Sequence, residues 1–353
     1  MRRADEYFET NALSRDGGLR LAVKAFVFLG WTTTAYLLLL LWSEHWWTTV
    51  PLAISLGLAM AGIGFSVMHD ANHGAFSTSR TLNGMMRATL DVIGGSSYIW
   101  RFKHNVLHHT YANIDGVDDD LDAGGVLRLA PTQPRRWFHR AQHLYELPVL
   151  GLLAAKWHLL DDWMFLVRAR IGETRFPRPR GADLALLLAG KVVFFTWAVA
   201  IPVWMHGPKL TFLVGAITSV VLGMTLGIVF QLAHVCGDVL LLAPPSERER
   251  YPLAWAEHQV ATTVDFATGH RALSWYVGGL NFQVEHHLFP NVSHVHYPAL
   301  ARIVRETCAE FSVPLLEHAT LKDALAAHFR HVAALGRPRA GPPEPVPVGA
   351  SPR

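Results

Sequence analysis

Four stretches of the chain are apolar over about 20 residues, the length that a helix needs to cross a bilayer. Two short gaps, residues 43–49 and 205–209, join these stretches in pairs. Lys24 and Lys191 lie near predicted helix ends, where a long side chain is expected to reach the interface. The pattern therefore predicts an all-α membrane protein with four transmembrane helices in two hairpins, at about residues 19–42, 50–68, 184–204 and 210–233.

Positive charge is unequally distributed between the segments that flank these helices. The long connection at residues 69–182 carries 14 Lys and Arg residues, whereas the gap at 43–49 carries none and the gap at 205–209 only Lys209. By the positive-inside rule, the long connection and both termini face the cytoplasm. We therefore expect a multi-pass integral membrane protein of a bacterial inner membrane, or of the endoplasmic reticulum in a eukaryote.

The remaining residues predict an arm, a cap and a tail. Residues 1–18 form a polar arm before the first predicted helix, and residues 80–100 are too mixed to span and predict a helix along the interface. Residues 235–336 predict a mostly helical cytoplasmic cap, which would complete a membrane domain at 19–336. The Pro-rich residues 337–353 predict a disordered tail.

The composition supports a membrane protein and excludes several other classes. Hydrophobic residues make up 51% of the chain and charged residues only 17%, against about 25% charged residues in soluble proteins. A net charge of +3 without a basic run gives no support for nucleic-acid binding. Cys236 and Cys308 are too few for a disulfide framework or a thiolate metal site, and both are expected to be reduced and inert. Histidine, with 20 residues, is the unusual component.

The histidines recur in short motifs that the predicted topology brings to one membrane face. At helical spacing, positions i and i+4 share a face, whereas the second of two adjacent histidines is turned about 100° away. The motifs are HDANH with His69 and His73, HNVLHH with His104, His108 and His109, QVEHH with His286 and His287, and His234 at the end of the fourth predicted helix. Eight imidazoles can therefore meet at one depth.

A metal centre is the hypothesis that explains this convergence. Neutral imidazole is the commonest side-chain ligand of transition metals, and it suits Fe, Zn, Cu and Ni. Eight histidines exceed the needs of one ion, so we expect two. Ligand histidines normally donate their second N–H to a carboxylate or carbonyl, and the nearby carboxylates are Asp70, Asp119, Asp120 and Glu285, within or beside the run DGVDDDLD and the histidine motifs. The roles of His258, His270, His294 and His296 stay open.

The motifs resemble the three histidine boxes of the membrane fatty-acid desaturases. Their spacing, HxxxH, HxxxHH and QxxHH, is similar to the acyl-lipid and front-end branch rather than to the stearoyl-CoA branch. The flanking segments agree, and the resemblance extends over about residues 20–315; these segments are HTYANIDGVDDDLD, FQLAHV, WAEHQVATTVDFA and GGLNFQVEHHLFPNVSHVHYPAL.

The resemblance implies a di-iron centre ligated by His69, His73, His104, His108, His109, His234, His286 and His287. Gln283 stands where the stearoyl-CoA branch has a histidine, and we expect it to hold water or support a ligand. The implied reaction is O2-dependent formation of a cis double bond in a fatty acyl chain carried on a lipid, CoA or acyl-carrier protein.

The resemblance also implies partners. Only 18 residues precede the first predicted helix, so we expect a separate electron carrier of the ferredoxin or cytochrome b5 type, with its reductase. The acyl chain is expected to enter an apolar tunnel from the surrounding membrane lipids, and Trp100, Tyr276, Gly278 and Gly279 are candidates to line it.

Three other activities remain open from the residues. A related di-iron hydroxylase or ketolase would use similar histidine boxes. A zinc-dependent membrane hydrolase would need fewer ligands, three per ion with an open water position. A haem-bearing electron carrier would place histidines facing each other within the spans, yet the predicted spans hold none before His234.

Overall fold

The computed structural model describes residues 1–43, 45–243 and 253–338. Helices run over Arg2–Thr10, Gly18–Trp42, Trp46–Gly62, His69–Asn72, Arg80–Arg87, Thr89–Val92, Ser97–Arg101, His109–Tyr111, Gln142–Gly151, Leu153–Lys156, Asp162–Arg168, Ala182–Phe195, Ile201–His234, Trp255–Ala261, Arg271–Tyr276, Gln283–Leu288, Tyr297–Glu310 and Leu321–Leu335. Wider π-helical turns lie at Ile63–Met68, Phe102–His108, Trp157–Asp161 and Thr196–Ala200, and 3-10 turns at Asp119–Leu121, Trp137–Ala141 and His294–His296. The predicted disordered tail covers residues 337–353, and its residues from 339 onward lie outside the described residues.

Strands are few and short. Arg170–Ile171 pairs antiparallel with Thr174–Arg175, so that Arg170 faces Arg175. Asp265–Phe266 pairs parallel with Glu317–His318, so that Asp265 faces Glu317. The expectation of a mostly helical protein is therefore confirmed.

Among the described residues, three helices are long and apolar enough to cross a membrane. We call Gly18–Trp42, Trp46–Asn72 and Ala182–His234 the first, second and third long helices. The first two contain the predicted segments 19–42 and 50–68, and the third contains both 184–204 and 210–233. Gly207, with φ 78° and ψ 168°, leaves the helical region inside the third long helix, within the predicted gap at 205–209.

The second long helix is the central one of the three. In its most apolar window, 67% of the residues are buried, against 22% in the first and 33% in the third long helix. The outer helices instead expose large apolar side chains, among them Phe26 at 79% and Trp204 at 86%. Large exposed apolar surfaces of this kind fit contact with lipid rather than water.

Small residues on the second long helix allow its neighbours to approach closely. A β-carbon on Gly57 would lie 2.8 Å from the carbonyl oxygen of Thr218, on the third long helix. A β-carbon on Gly62 would collide with the Phe28 ring of the first long helix. Glycine therefore lets both outer helices pack directly against the central one, as is usual where no hydrophobic effect drives helix association.

Two of the three lysines in the long helices, Lys24 and Lys191, correct one expectation. Lys24 and Lys191 do not extend to the interface, because each is only 3% exposed and points into the protein. Lys191 Nζ lies 2.7 Å from the Asp162 carboxylate, and Lys24 Nζ lies 2.8 Å from His294 Nε2. Polar partners on other elements make burial more favourable than the extended conformation.

Two other segments differ from their predicted form. Residues 80–100 do not form one interfacial helix, because the backbone breaks after Val92 and Gly94 adopts φ 102°, which ends a helix. The predicted polar arm contains the helix Arg2–Thr10, which buries Ala4 and Phe8 against Tyr297.

Candidate metal centre

Four separate elements deliver the eight predicted histidines to one buried place. His69 lies in the last turn of the second long helix, and His73 directly follows that helix. His234 ends the third long helix. The helical run at 97–111 supplies His104, His108 and His109, and Gln283–Leu288 supplies His286 and His287. The relative exposure of the eight ranges from 0% to 8%.

A π-helical segment decides how the second motif is arranged. Phe102–His108 is wound with π geometry, in which residues i and i+5 are hydrogen-bonded neighbours. His109 therefore comes back towards His104, and their Nε2 atoms lie 3.2 Å apart. A regular α-helix would turn His109 away from this position. His108, one residue earlier, faces His234 instead, with ring centroids 4.6 Å apart.

The histidines fall into two groups. The ligand atoms of each group lie within 4.8 Å of one another; the first group is His69, His73, His104 and His286, and the second group is His108, His234 and His287. His109 lies between them, with its ring centroid 4.5 Å from those of both His286 and His287. The arrangement has room for two neighbouring ions.

Outer hydrogen bonds hold the Nδ1 atoms on the side away from the cluster. The partners come from three regions of the chain, and the contacts are His108 with Asp118 at 3.0 Å, His286 with the Tyr297 hydroxyl at 3.1 Å, His287 with Gln259 Oε1 at 2.7 Å and His234 with the Thr262 carbonyl at 3.3 Å. A second-nitrogen contact of this kind fixes the ring orientation of a ligand histidine. It also leaves Nε2 to face inward.

The inward Nε2 atoms converge as metal ligands would. The Nε2 atom of His104 is 3.3 Å from that of His69, and the Nε2 atom of His109 is 3.0 Å from that of His286. Two nitrogens bound to one ion at about 2.1 Å are about 3 Å apart. Among the described residues, the buried Nε2 atoms of His73, His108 and His287 have no hydrogen-bond partner. Buried polar atoms are normally satisfied, so these fit a bound cation.

Electrostatics keep most of the cluster neutral. Burial, followed by the neighbouring imidazoles, lowers the pKa values of His104, His109, His286 and His287 well below 6.5. Burial would lower the pKa of His108 as well, but the Asp118 and Asp120 carboxylates together outweigh burial and raise that pKa. Neutral imidazole is the form that binds metal.

The predicted supporting residues divide into near and remote ones. Gln283 Nε2 is 2.9 Å from His234 Nε2, so its side chain reaches the second group. Asp70 lies 3.9 Å from His69 Nδ1. Asp120 is 3.5 Å from His108 Nδ1 and pairs with Lys103.

The other two predicted carboxylates face away from the histidines. Asp119 pairs with Lys103 at 2.9 Å. Glu285 neighbours Asp265, and burial together with that carboxyl raises the pKa of Glu285 well above its usual value.

Sequence reasoning did not single out the groups that hold the histidines most directly. Asp118 belongs to the DGVDDDLD run, but nothing local distinguishes it from its neighbours. Gln259 and Tyr297 lie within two of the flanking segments that carry the resemblance, but nothing in those segments indicated a contact with a histidine. Of the histidines left open, His294 contacts Asp70, whereas His258 contacts the Ala112 carbonyl.

The amino-acid sequence matches known proteins over most of its length. Residues 44–319 match the family model described as fatty acid desaturase. The sn-1 linoleoyl-lipid 6-desaturase of Arthrospira platensis is 36% identical, over 93% of this chain and 89% of that protein. The acyl-lipid (8-3)-desaturase of Physcomitrium patens is 36% identical, over 95% of this chain and 70% of that protein. The sn-1 linoleoyl-lipid 6-desaturase of a Synechocystis strain is 32% identical, over 95% of this chain and 94% of that protein.

The lowered histidine pKa values predict that the metal-free protein loses stability in mild acid. The unfolded chain takes up protons below pH 6.5, while His104, His109, His286 and His287 in the folded protein resist them. The stability they contribute is present above pH 6.5 and is lost as the pH falls, by up to about 1.4 kcal/mol per pH unit for each proton. The raised pKa values of His108, Asp265 and Glu285 act in the opposite direction, but these groups are outnumbered by the histidines with lowered pKa values, which also include His73, His258 and His294. We expect the Tm of metal-free protein in detergent to fall between pH 7.5 and 5.5.

The variant His104→Gln tests whether the buried histidines cause this dependence of stability on pH. It removes one of the resisting imidazoles, so the slope of stability against pH should decrease by about one proton. A Tm that is constant or rises on acidification would contradict the assignment of neutral, buried rings.

Proposed function

The chain belongs to the fatty acid desaturase family, and on that premise we propose that it introduces a cis double bond into a fatty acyl chain of a membrane lipid, using O2. One observation carries the proposal: eight buried imidazoles turn their Nε2 atoms inward, and several of these have no partner among the described residues. The relatives named as linoleoyl-lipid and acyl-lipid desaturases support a lipid-linked substrate.

We propose iron as the metal and the two histidine groups as its ligands, with His109 between them. Two bound iron ions would supply, with O2, the oxidising power to remove hydrogen from an unactivated methylene, which no acid or base in the chain can do. Overall, two hydrogens leave the acyl chain while one O2, two electrons and two protons become two water molecules. The electrons would come from a carrier of the ferredoxin or cytochrome b5 class.

The residues around the centre support this chemistry by positioning and by excluding water. The Nδ1 contacts from Asp118, Gln259 and Tyr297 hold the rings before any ion binds. The Trp100 ring stacks on His104 with a centroid distance of 4.3 Å, which closes one side of the first group with an apolar surface. Gln283 is placed to hold water or an ion beside His234.

An apolar route from the membrane to His69 supports an acyl substrate. The lining of a narrow cavity includes His69, His158, Trp100 and Leu222, and the rest of its lining is apolar or glycine. Leu222 and His158 also line a second cavity of about 630 Å³ between the long helices. The acyl chain would pass from the larger cavity through this junction to the histidines.

Of the other candidate lining residues, two glycines serve close packing. A β-carbon on Gly278 would collide with the Phe65 carbonyl, and one on Gly279 would lie 2.8 Å from His294 Cβ. Tyr276 donates a hydrogen bond to the Leu58 carbonyl at 2.8 Å.

We propose four membrane spans, with a membrane domain at residues 19–336. The break at Gly207 supports two spans within the third long helix. Phe194 and Thr218, on either side of Gly207, line the same 630 Å³ cavity, as expected if the two segments fold back beside each other. The 14 basic residues at 69–182 support a cytoplasmic location for the centre and both termini.

The decisive experiment is expression in a host that supplies the electron carrier, followed by mass spectrometry of total fatty acids. We expect a new cis double bond; a hydroxyl or keto product would assign a sister oxidation instead. His108→Ala should reduce the product at least 100-fold and lower bound iron, because it removes a ring from the second group. The exposed His45→Ala serves as the control and should retain both. Full activity in His108→Ala, or zinc without iron in the purified wild-type protein, would refute the proposal.

The acyl route predicts a change in chain-length preference on filling the cavity junction. Leu222 is 3% exposed, so Leu222→Trp should block the passage and lower the desaturation of 18-carbon chains more than that of 14-carbon chains. The control Leu213→Trp adds the same bulk on a lipid-exposed position of the same helix. An unchanged ratio of the two products in Leu222→Trp would exclude this route while leaving the metal proposal intact.

The topology predicts which engineered cysteines are reached from outside a bacterial cell. His45→Cys and Lys209→Cys should react with a membrane-impermeant maleimide in intact cells, because both gaps face away from the cytoplasm. Ser14→Cys should react only after permeabilisation. Both native cysteines are buried, so they give little background. Labelling of Ser14→Cys in intact cells would reverse the orientation.

A further inference from the structure

The first long helix carries a buried cation close to the histidine groups. Lys24 is 3% exposed, and its Nζ lies 5.3 Å from the centroid of the Trp275 ring. A charged side chain inside a membrane helix is costly, so such residues are rare and mark functional contacts. Neither the hydropathy pattern nor the histidine motifs account for this lysine.

Lys24 begins a hydrogen-bonded chain that ends beside the first group. Its Nζ donates to His294 Nε2 at 2.8 Å. Because an ammonium can only donate, Nε2 must accept, and the proton of a neutral His294 ring is on Nδ1. That Nδ1 donates to Asp70 Oδ1 at 2.9 Å. The Lys24 ammonium and the Asp70 carboxylate are thus linked through one imidazole.

Asp70 is held more firmly than an ordinary surface carboxylate. Its Oδ2 accepts hydrogen bonds from Ser293 Oγ at 2.7 Å and from the backbone N–H of His294 at 3.2 Å. The side chain is 2% exposed. With so many donors, the carboxylate has one orientation, and it directs Oδ1 towards both His294 and His69.

Asp70 in turn acts on His69, the adjacent residue. Asp70 Oδ1 lies 3.9 Å from His69 Nδ1, while His69 Nε2 faces His104 Nε2 at 3.3 Å. A carboxylate on the Nδ1 side favours the proton on that nitrogen and leaves Nε2 free as a ligand atom. His69 thus resembles the histidines held by Asp118, Gln259 and Tyr297 in having Nδ1 towards a polar group and Nε2 inward, although its separation of 3.9 Å is longer than a hydrogen bond.

We infer that Lys24, His294 and Asp70 form a positioning unit that orients His69 for the first metal ion, and that the first membrane helix is thereby part of the metal centre. The inference rests on the proposed metal site. Lys24 and His294 touch no reacting group, so they are positioning residues. Removing either should weaken the ion held by the first group and spare the ion held by the second.

The test is the stoichiometry of ferrous iron bound by purified, metal-free protein. Lys24→Met keeps the length of the side chain and removes the charge, and His294→Leu removes both ring nitrogens. We expect each variant to bind about one iron ion per chain, where the wild-type protein binds two. Because the readout is metal content, it does not depend on the electron carrier or on turnover.

A rescue variant separates positioning from folding. In His294→Gln, the amide nitrogen can donate to Asp70 while the amide oxygen accepts from Lys24, so both links are restored. We expect this variant to bind close to two iron ions. If Lys24→Met fails to fold, the comparison of His294→Leu with His294→Gln still decides, because only the hydrogen-bonding groups differ at similar volume.

A second buried lysine provides the matched control. Lys191 is also 3% exposed, but it pairs with Asp162 and donates to the Gly94 carbonyl at 2.7 Å, away from the eight histidines. Lys191→Met removes an equally buried charge and should keep two iron ions. If Lys24→Met and His294→Leu each bind two iron ions, the inference about the positioning unit is wrong and the metal proposal stands. If the wild-type protein binds no iron, the metal proposal itself is wrong.

Discussion

The structure depends on holding eight buried imidazoles in fixed orientations around one shared place. A buried ring has two nitrogens, and one left unpaired costs free energy. Four of the eight rings have their Nδ1 atom hydrogen-bonded to a surrounding residue, whereas three Nε2 atoms have no partner among the described residues and others face another Nε2 atom. This asymmetry is unfavourable in the empty protein and favourable once cations lie between the rings. The folded chain therefore carries part of the cost of metal binding in advance, as preorganised sites do.

Local patterns predict the helices well but not the groups that face one another. Hydropathy located the apolar segments because the membrane requirement acts on each segment alone, and the HxxxH spacing placed His69 beside His73. The π geometry of Phe102–His108 has no such local signal. That geometry alone brings His109 next to His104, so the composition of the two groups could not be derived from spacing.

The residues that support the histidines could not be predicted from local patterns either. Asp118, rather than Asp119 or Asp120, reaches His108 at hydrogen-bond distance because the turn after His109 directs it inward, and the backbone N–H of Asn113 also donates to it. Lys24 and Lys191 were expected at the interface because the rule for lone charges considers one helix at a time. Their partners, His294 and Asp162, lie far away in sequence, and only the tertiary fold brings them together.

The histidine cluster is polar and the narrow cavity that leads to it is apolar, and this difference affects which carbon–carbon bond can be selected. Of the described residues that line the narrow cavity, His69 and His158 alone can ionise, and the remainder are apolar or glycine. Such a surface offers no directional contact to a methylene chain, and every methylene presents the same face to it. Recognition of one carbon–carbon bond must then come from where the chain is anchored and from the shape of its path, since burial of each methylene stabilises any register by a similar amount. The metal centre is fixed by hydrogen bonds from several elements. If the substrate follows the proposed route, the position of the new double bond is set by that path and not by movement of the histidines.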